Sequence, residues 1–284
     1  MIRCLDQVVI VEFIKLSKID DIEEYWDQEV CATRNASDTD EYEINRSFEY
    51  RVTNSLVQYS DWSEKSIIDI GVGGGTEIIK FLDAGARCYG IDLTKAAISY
   101  TMERVKDYGN LIELKQASCE NLEEFYDKKF DLAYSYGVIH HSADPEKCVG
   151  EINKTLKHGG KFIGMVYSDF SLCGFYLWLI YGLFRLKPFQ TQKGIISKHL
   201  ESPFTNSYSH KQWKRVLERN GFVVERLYKK LSIGDALRMD LNLDKFPRWL
   251  LPFYKILQRF IPVNLLLKLE GYWGLNLCFV ATKK

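Results

Sequence analysis

Short apolar runs alternate with amphipathic stretches over residues 66–167, and this alternation is the strongest regularity in the sequence. Runs rich in β-branched and aromatic residues predict strands at 66–70, 87–91, 111–115, 130–134 and 161–167. Apolar residues at helical spacing predict helices at 76–84, 94–108 and 145–157, which end at or near glycine. Strands that alternate with helices form βαβ units, which favours a parallel sheet covered by helices on both faces.

The alternation becomes irregular after residue 167. An aromatic-rich insertion is followed by a helix at 209–220 and a strand at 222–228, and a final strand is predicted at 275–282 after a second insertion. Residues 1–60 are polar with helical character. The predicted organisation is a helical N-terminal cap at 1–60, a core at 61–167, an insertion or lid at 168–208, and a C-terminal completion of the sheet at 209–284 with a helical insertion at 231–273.

Composition and charge narrow the classes of function. Lys and Arg total 38 and Asp and Glu total 38, so no basic field exists to gather nucleic acid, which is not an expected partner. The seven cysteines contain no C-x-x-C pair, which favours reduced thiols in a cytoplasmic protein without a metal site. We expect no secretory signal. The apolar stretch 170–184 is shorter than the roughly 18 residues that suggest a spanning helix.

A glycine-rich loop, Gly71-Val72-Gly73-Gly74-Gly75, joins the first predicted strand to its helix. Glycines at such a turn let a ligand approach the backbone closely. The dinucleotide fingerprint G-x-G-x-x-G requires a glycine where this chain has Thr76, which argues against a dehydrogenase. Asp92 ends the second predicted strand, where a carboxylate can accept hydrogen bonds from ribose hydroxyls. Asp69 precedes the loop and is a candidate to hold loop amides or to orient a ligand's ammonium group.

Four segments in order resemble the motifs of the class I S-adenosylmethionine-dependent methyltransferases. They are Ile67–Gly75, Gly90–Thr94, Ser135–His141 with Asp144-Pro145, and Leu156–Gly160. The resemblance implies S-adenosyl-L-methionine as cofactor. It also implies a Rossmann-like, doubly wound, seven-stranded α/β sheet, mostly parallel with a reversed final strand, to which the helical cap and the insertions are added.

The resemblance assigns cofactor-binding roles to residues at the ends of successive strands. It places Gly71 and Gly73 at the methionine part, Asp92 and Leu93 at the ribose and adenine, and Tyr136 and Gly137 at the sulfonium end. Ser118, followed by Cys119, stands where the family usually has an Asp for the adenine amino group. A hydroxyl can accept that hydrogen bond, but without charge assistance.

Two further groups are candidates for the site. His141 follows the fourth strand and is a candidate base or hydrogen-bond partner for the methyl acceptor; alternatively, His140 and His141 only shape the loop. Tyr25 and Trp26 in the cap resemble the preface of a subgroup of small-molecule methyltransferases. They are expected either to close over the cofactor or to serve as a hydrophobic staple for the cap.

The leading functional hypothesis is methyl transfer to O or N of a small-molecule acceptor. An alternative is C- or O-methylation of a quinone or lipid-linked acceptor at a membrane surface, with the basic and aromatic segments 170–184 and 246–273 resting on the membrane. A third hypothesis is that the chain is a degenerate, non-catalytic binding or scaffold protein. The insertions could also form a lid or a dimer face. A cytoplasmic location is expected, with peripheral membrane association and a homodimer left open.

Overall fold

The computed structural model describes residues 18–28, 49–202, 205–236 and 263–284. Of these, one compact unit contains 18–28, 59–160, 201–202 and 205, and a second contains 49–58, 161–200, 206–236 and 263–284. The predictions for most of the first 48 residues and for 237–262, including most of segment 246–273, lie outside the described residues.

The strands of the described chain form a seven-stranded sheet in the order β3-β2-β1-β4-β5-β7-β6. They are β1 (Ser66–Ile70), β2 (Arg87–Asp92), β3 (Ile112–Gln116), β4 (Phe130–Tyr136), β5 (Leu156–Tyr167), β6 (Phe222–Lys230) and β7 (Asn276–Lys283). β1 pairs in parallel with β2 and β4, and β2 in parallel with β3, whereas β7 is antiparallel to both β5 and β6. The predicted Rossmann-like sheet with a reversed final strand is therefore confirmed.

Eight longer helices and two short ones accompany these strands in the described residues. They are α1 (18–27), α2 (49–56), α3 (Thr76–Asp83), α4 (Lys95–Val105), α5 (Pro145–Thr155), α6 (Leu172–Tyr181), α7 (Gln192–His199), α8 (His210–Arg219), and the short Val263–Leu267 and Glu270–Trp273. Side-chain caps explain two of the predicted starts. Thr94 accepts a hydrogen bond from the Ala97 amide, and Asp144 accepts one from the Lys147 amide in front of Pro145.

Two predicted boundaries differ from the structure by more than two residues. The helix expected to run to residue 108 ends at Val105, and a 3-10 segment continues to Leu111 through Gly109, whose φ is 58°. β5 begins at Leu156 rather than at 161. The polar residues that open β5 carry no apolar alternation, so the sequence pattern favoured the end of a helix there.

The core of the first unit lies where β1 meets α3. Ile67, Ile68 and Ile70 are fully buried on β1, together with Ile78 and Phe81 of α3. A buried parallel strand is apolar on both faces because helices cover both. This packing holds the end of β1, and hence the glycine loop that follows it, in a fixed position.

A buried carboxylate organises part of the second unit. Asp235 accepts hydrogen bonds from the backbone amides of Cys173 (2.8 Å), Ser232 (2.8 Å) and Leu275 (2.7 Å). Burial raises the pKa of Asp235 to about 6, although these hydrogen bonds oppose the rise. Asp235 therefore ties α6 to the backbone that leads into β7. None of the described helices has both the length and the apolar character needed to span a membrane.

Candidate functional site

The carboxyl ends of β1, β2, β3 and β4 gather most of the residues singled out from the sequence. β1 and β4 are neighbours, and β2 and β3 continue the sheet on the other side of β1, so the chain changes direction across the sheet between β1 and β4. Ligands of open α/β sheets bind outside the strand ends at such a switch point. Asp92 and Tyr136 end β2 and β4, and Gly71 and Ser118 follow β1 and β3.

The glycine loop after β1 takes a backbone path that side chains disfavour. The φ angles of Gly71, Gly73 and Gly75 are 81°, 50° and 77°, all in the left-handed region. A Cβ on Gly71 would lie 2.2 Å from Cγ2 of Val138, in the segment after β4. The backbone amides of Gly71 and Val72 donate to the Ile91 carbonyl at 2.8 and 3.0 Å. The loop thus folds back onto the end of β2 and packs closely against the segment that follows β4.

Asp92 joins this loop to the second strand. Its Oδ2 accepts a hydrogen bond from the Gly73 amide at 3.0 Å, and its Oδ1 accepts from the amide and hydroxyl of Thr94, both at 2.9 Å. A carboxylate offers about four acceptor positions, so capacity remains for a ligand hydroxyl. The role of holding loop amides, considered above for Asp69, belongs to Asp92 and the Ile91 carbonyl.

Helix α4 fixes the outer side of the loop through two residues that the sequence analysis missed. The Thr101 hydroxyl donates to the Gly73 carbonyl at 2.8 Å, and the Arg104 guanidinium donates to the Gly74 carbonyl. A Cβ on Gly75 would lie 2.8 Å from Cγ2 of Thr101. The spacing from Thr101 to Arg104 puts both side chains on one helix face, and this was the signal available in the sequence.

Acidic side chains surround the base of the loop. Asp69 is buried, and its pKa is raised well above its usual value, first by burial and then by the negative charges of Glu77 and Asp92. Glu77 accepts hydrogen bonds from the hydroxyl of Tyr59 and, at 3.5 Å, from that of Tyr134. Glu77 is also paired with Lys80, whose Nζ lies 2.8 Å from Oε1, and burial favours the neutral form of Asp69. Asp92 is therefore the acid of this group that bonds directly to the loop.

The segment after β3 carries the residues expected at an adenine ring. The Ala117 amide donates to the Asp92 carbonyl at 2.9 Å, which draws this segment toward the end of β2. The Ser118 hydroxyl oxygen accepts a hydrogen bond from the Glu120 amide at 3.2 Å. Cys119 Sγ lies 3.0 Å from Sγ of Cys148 on α5. Leu93 contributes its carbonyl, which accepts from the Gln116 side chain at 3.0 Å.

His141 lies in a buried polar cluster after β4. Its Nε2 is 3.2 Å from Oε2 of Glu201, and its Nδ1 is 2.7 Å from Oγ of Ser202 and 3.3 Å from Oγ1 of Thr205. The three partners come from the end of the aromatic insertion, about 60 positions further along, and no local motif indicated them. Burial lowers the pKa of the neighbouring His140 well below its usual value, so this ring is neutral.

Trp26 brings helix α1 to the same cluster. Its ring centroid lies 5.2 Å from that of His141 in an edge-to-face arrangement, and 5.0 Å from that of Tyr25. The neighbouring Asp27 carboxylate accepts a hydrogen bond from the Ala96 amide in the first turn of α4 at 3.2 Å. The structure therefore brings Trp26 together with His141. Closure of Tyr25 and Trp26 over a cofactor stays a prediction.

Comparisons with known proteins agree with this architecture. A family model described as a methyltransferase domain matches residues 68–164. The uncharacterized methyltransferase YcgJ of Bacillus subtilis is 29% identical over 102 residues, which cover 36% of this chain and 40% of that protein. The ubiquinone biosynthesis O-methyltransferase of Nitrosococcus oceani is 34% identical over 97 residues, 34% of this chain and 41% of that protein. The chain thus matches about two fifths of the length of these two relatives.

Solved structures show the same fold at low sequence identity. The magnesium protoporphyrin IX methyltransferase of Synechocystis PCC 6803, solved with bound SAM, has a TM-score of 0.58 at 11% identity, over 94% of this chain and 97% of that one. A putative methyltransferase in complex with the Haloferax volcanii Trm112 methyltransferase activator has a TM-score of 0.56 at 16% identity, over 87% of this chain and 95% of that one. Residues 68–164 thus match a methyltransferase domain, and the strand order of the sheet agrees with the fold expected from the resemblance to the class I S-adenosylmethionine-dependent methyltransferases.

Proposed function

We propose that the protein transfers a methyl group from S-adenosyl-L-methionine to an oxygen or nitrogen of a small metabolite. The observation that carries the proposal is the hydrogen bond from the Gly73 amide to Asp92, which joins the glycine loop to an acidic strand end. The positive φ angles of Gly71 and Gly73 make the tight turn that directs this amide toward the end of β2. This combination suits a nucleoside with a second polar group attached.

The residues present fit the cofactor in two respects. Asp92 accepts three hydrogen bonds from the protein, so one of about four acceptor positions remains for a ribose hydroxyl. The negative charge of this carboxylate beside the loop suits a ligand that carries both a sulfonium and an ammonium. When bound, the cofactor supplies an activated methyl group. The protein's remaining tasks are to align the acceptor, to exclude water and to take up a proton.

The His141 cluster is our candidate destination for the proton. Nδ1 of His141 lies 2.7 Å from the Ser202 hydroxyl, and Nε2 lies 3.2 Å from the Glu201 carboxylate. The Thr205 hydroxyl donates to the Ser202 carbonyl at 2.8 Å. Both ring nitrogens are engaged, and the Glu201 side chain is 34% exposed whereas that of His141 is 5% exposed. We infer that the Glu201 carboxylate accepts the acceptor's proton and that His141 holds this carboxylate in place.

Calorimetry with S-adenosylhomocysteine tests the cofactor site. Asp92→Ala removes a charged hydrogen-bond acceptor, which contributes ~1.5–3 kcal/mol, so affinity is expected to fall about 10- to 150-fold. Asp107→Ala is the matched control, since Asp107 is an exposed acid outside the loop. Equal affinity for the wild-type protein and Asp92→Ala would contradict this site. Failure of the wild-type protein to bind would favour the non-catalytic alternative.

The acceptor and the base are tested together. The wild-type protein is supplied with S-adenosylmethionine and a panel of phenols, carboxylic acids and amines, and formation of S-adenosylhomocysteine is measured. With an acceptor that turns over, Glu201→Gln is expected to lower kcat far more than KM. An unchanged kcat in Glu201→Gln would contradict the assignment of the base. No turnover by a protein that binds S-adenosylhomocysteine would contradict methyl transfer to these acceptors.

A second candidate is O-methylation of a quinone precursor. It is supported by the ubiquinone biosynthesis O-methyltransferases among the curated relatives, one of them 34% identical over 97 residues. A catechol with an isoprenoid tail is compared with the same catechol without the tail. A higher kcat/KM for the tailed catechol would favour this candidate, and equal values would favour a small polar metabolite.

A further inference from the structure

An exposed apolar turn lies between α6 and α7, in the second unit. All seven residues from Leu183 to Phe189 are exposed. The side chains of Leu183 and Phe184 are 41% and 51% exposed, and those of Leu186 and Phe189 are 91% and 99% exposed. Single exposed apolar residues are ordinary on protein surfaces, but four large ones within one turn are typical of an interaction surface.

The turn has a defined backbone conformation. The Gly182 carbonyl accepts hydrogen bonds from the Arg185 amide at 3.2 Å and from the Lys187 amide at 2.8 Å. The Trp178 indole donates to the Pro188 carbonyl at 3.3 Å, and Leu186 has a φ of 58°. A bulky residue in the left-handed region is uncommon and costs conformational energy. The exposure of these apolar side chains is therefore a feature of a hydrogen-bonded turn.

The sequence that contains this turn carries charge of one sign. The whole chain has a net charge of zero, yet residues 170–200 contain no Asp or Glu and four basic residues, namely Arg185, Lys187, Lys193 and Lys198. Arg185 and Lys187 alternate with the exposed apolar residues of the turn itself. A partner of complementary chemistry would present an anionic layer above an apolar one.

We propose that the turn Leu183–Phe189 docks the protein onto the surface of a lipid bilayer that contains anionic phospholipid. Basic residues favour the negative headgroup layer, and leucine and phenylalanine side chains bury themselves at the boundary between headgroups and acyl chains. Lysine is depleted at protein–protein interfaces relative to the rest of the surface, whereas it is attracted to anionic headgroups. The proposal goes beyond methyl transfer, and it holds for any acceptor that the enzyme uses.

Vesicle flotation of the full chain tests the proposal. The vesicles are phosphatidylcholine alone, or phosphatidylcholine with about 30% phosphatidylglycerol, each at low and at high salt. The wild-type protein is expected to float with the anionic vesicles at least tenfold more than with the neutral ones, and to lose this preference at high salt because salt screens the charges. Absence of flotation with the anionic vesicles would overturn the proposal.

Substitutions in the turn Leu183–Phe189 test whether this segment is the surface that binds the vesicles. Leu186→Ser/Phe189→Ser is expected to lower anionic-vesicle binding on the order of tenfold or more, since both side chains lose their apolar contact with lipid. Arg185→Gln/Lys187→Gln is expected to weaken binding and to reduce its salt dependence. Met102→Ser/Val223→Ser is the matched control, with side chains 52% and 50% exposed elsewhere, and should bind as the wild-type protein does.

Three further measurements distinguish a loss of the surface from a loss of the fold, of the cofactor site or of a dimer. Calorimetry with S-adenosylhomocysteine and thermal unfolding should give wild-type values for Leu186→Ser/Phe189→Ser, so that a loss of flotation reports the surface and not the fold or the cofactor site. Undiminished flotation of this variant would overturn the proposal. Sedimentation that showed a wild-type dimer, lost in the same variant, would also overturn it, because the turn would then bind a second copy of the chain.

Discussion

Replacing Gly71 by alanine should destabilise the protein for two separable reasons. The φ of 81° places an L-residue in the left-handed region, which costs ~1–2 kcal/mol. The new Cβ would also lie 2.2 and 2.7 Å from the two γ-carbons of Val138, and relief of such overpacking costs ~1–3 kcal/mol. The free energy of unfolding is therefore expected to fall by ~2–5 kcal/mol for Gly71→Ala.

Gly159→Ala is the matched control for this substitution. Gly159 has a φ of 75°, and a Cβ there would meet nothing within 4 Å. Only the backbone cost of ~1–2 kcal/mol applies, so the difference between the two variants isolates the clash with Val138. In the double variant Gly71→Ala/Val138→Ala both γ-carbons are absent. This variant should be more stable than the sum of the two single effects predicts.

Urea unfolding followed by circular dichroism measures five proteins, namely the wild type, Gly159→Ala, Gly71→Ala, Val138→Ala and the double variant. The midpoints should order as wild type, Gly159→Ala, then Gly71→Ala, with equal m values. If Gly71→Ala were no less stable than Gly159→Ala, the close approach to Val138 would not be energetically significant. Strict additivity in the double variant would refute the steric explanation in the same way. Calorimetry with S-adenosylhomocysteine adds a second readout, since a displaced loop should also bind more weakly.

Three further predictions concern capping, pH and thiols. Thr94→Val removes the cap on the Ala97 amide and should lower the free energy of unfolding by ~1 kcal/mol in urea; an unchanged midpoint would refute the cap. The pKa of Asp235 is about 6 in the folded protein, against an ordinary value of 3.8. The free energy of unfolding should therefore be ~3 kcal/mol higher below pH ~4, where Asp235 is protonated, and this gain should be lost as the pH rises through 6. Asp235→Asn should remove that pH dependence, and a slope that persists in this variant would exclude Asp235 as its source. Diamide should oxidise the Cys119 and Cys148 thiols to a disulfide, since their sulfurs lie 3.0 Å apart; equal loss of free thiols in wild type and Cys148→Ser would refute that pairing.

Much of the first unit could be predicted because local signals there agree with one another. β1 lies at Ser66–Ile70 as predicted, since an apolar run is bounded by polar residues before it and glycine after it. β5 could not be bounded in this way, because Lys157, His158 and Gly159 extend the strand with residues that give no apolar signal. The sheet order adds pairings between residues far apart in sequence, such as Lys161 with Thr282, which only the family resemblance anticipated.

The candidate site likewise contains some residues that the sequence predicts and others that it does not. Asp92 was identified because a carboxylate at the end of the second strand can accept hydrogen bonds from ribose hydroxyls. Its hydrogen bond from the Gly73 amide agrees with that interpretation. Glu201 and Ser202 could not be found, because their relation to His141 depends on where the insertion returns to the first unit. A long-range contact between ordinary polar residues leaves no periodicity or motif in the sequence.

The place of β7 in the sheet has a consequence for how the molecule is made. Among the described strands, β6 pairs with β7 alone, and β7 separates it from β5. The ribosome delivers Phe222–Lys230 before Asn276–Lys283, so β6 must wait as an unpaired strand while about 45 further residues are synthesised. β1 to β4 need no such delay, since their partners are all present by then. The nascent chain should therefore assemble its glycine loop and Asp92 early, and it should need protection from aggregation mainly in the interval before β7 emerges.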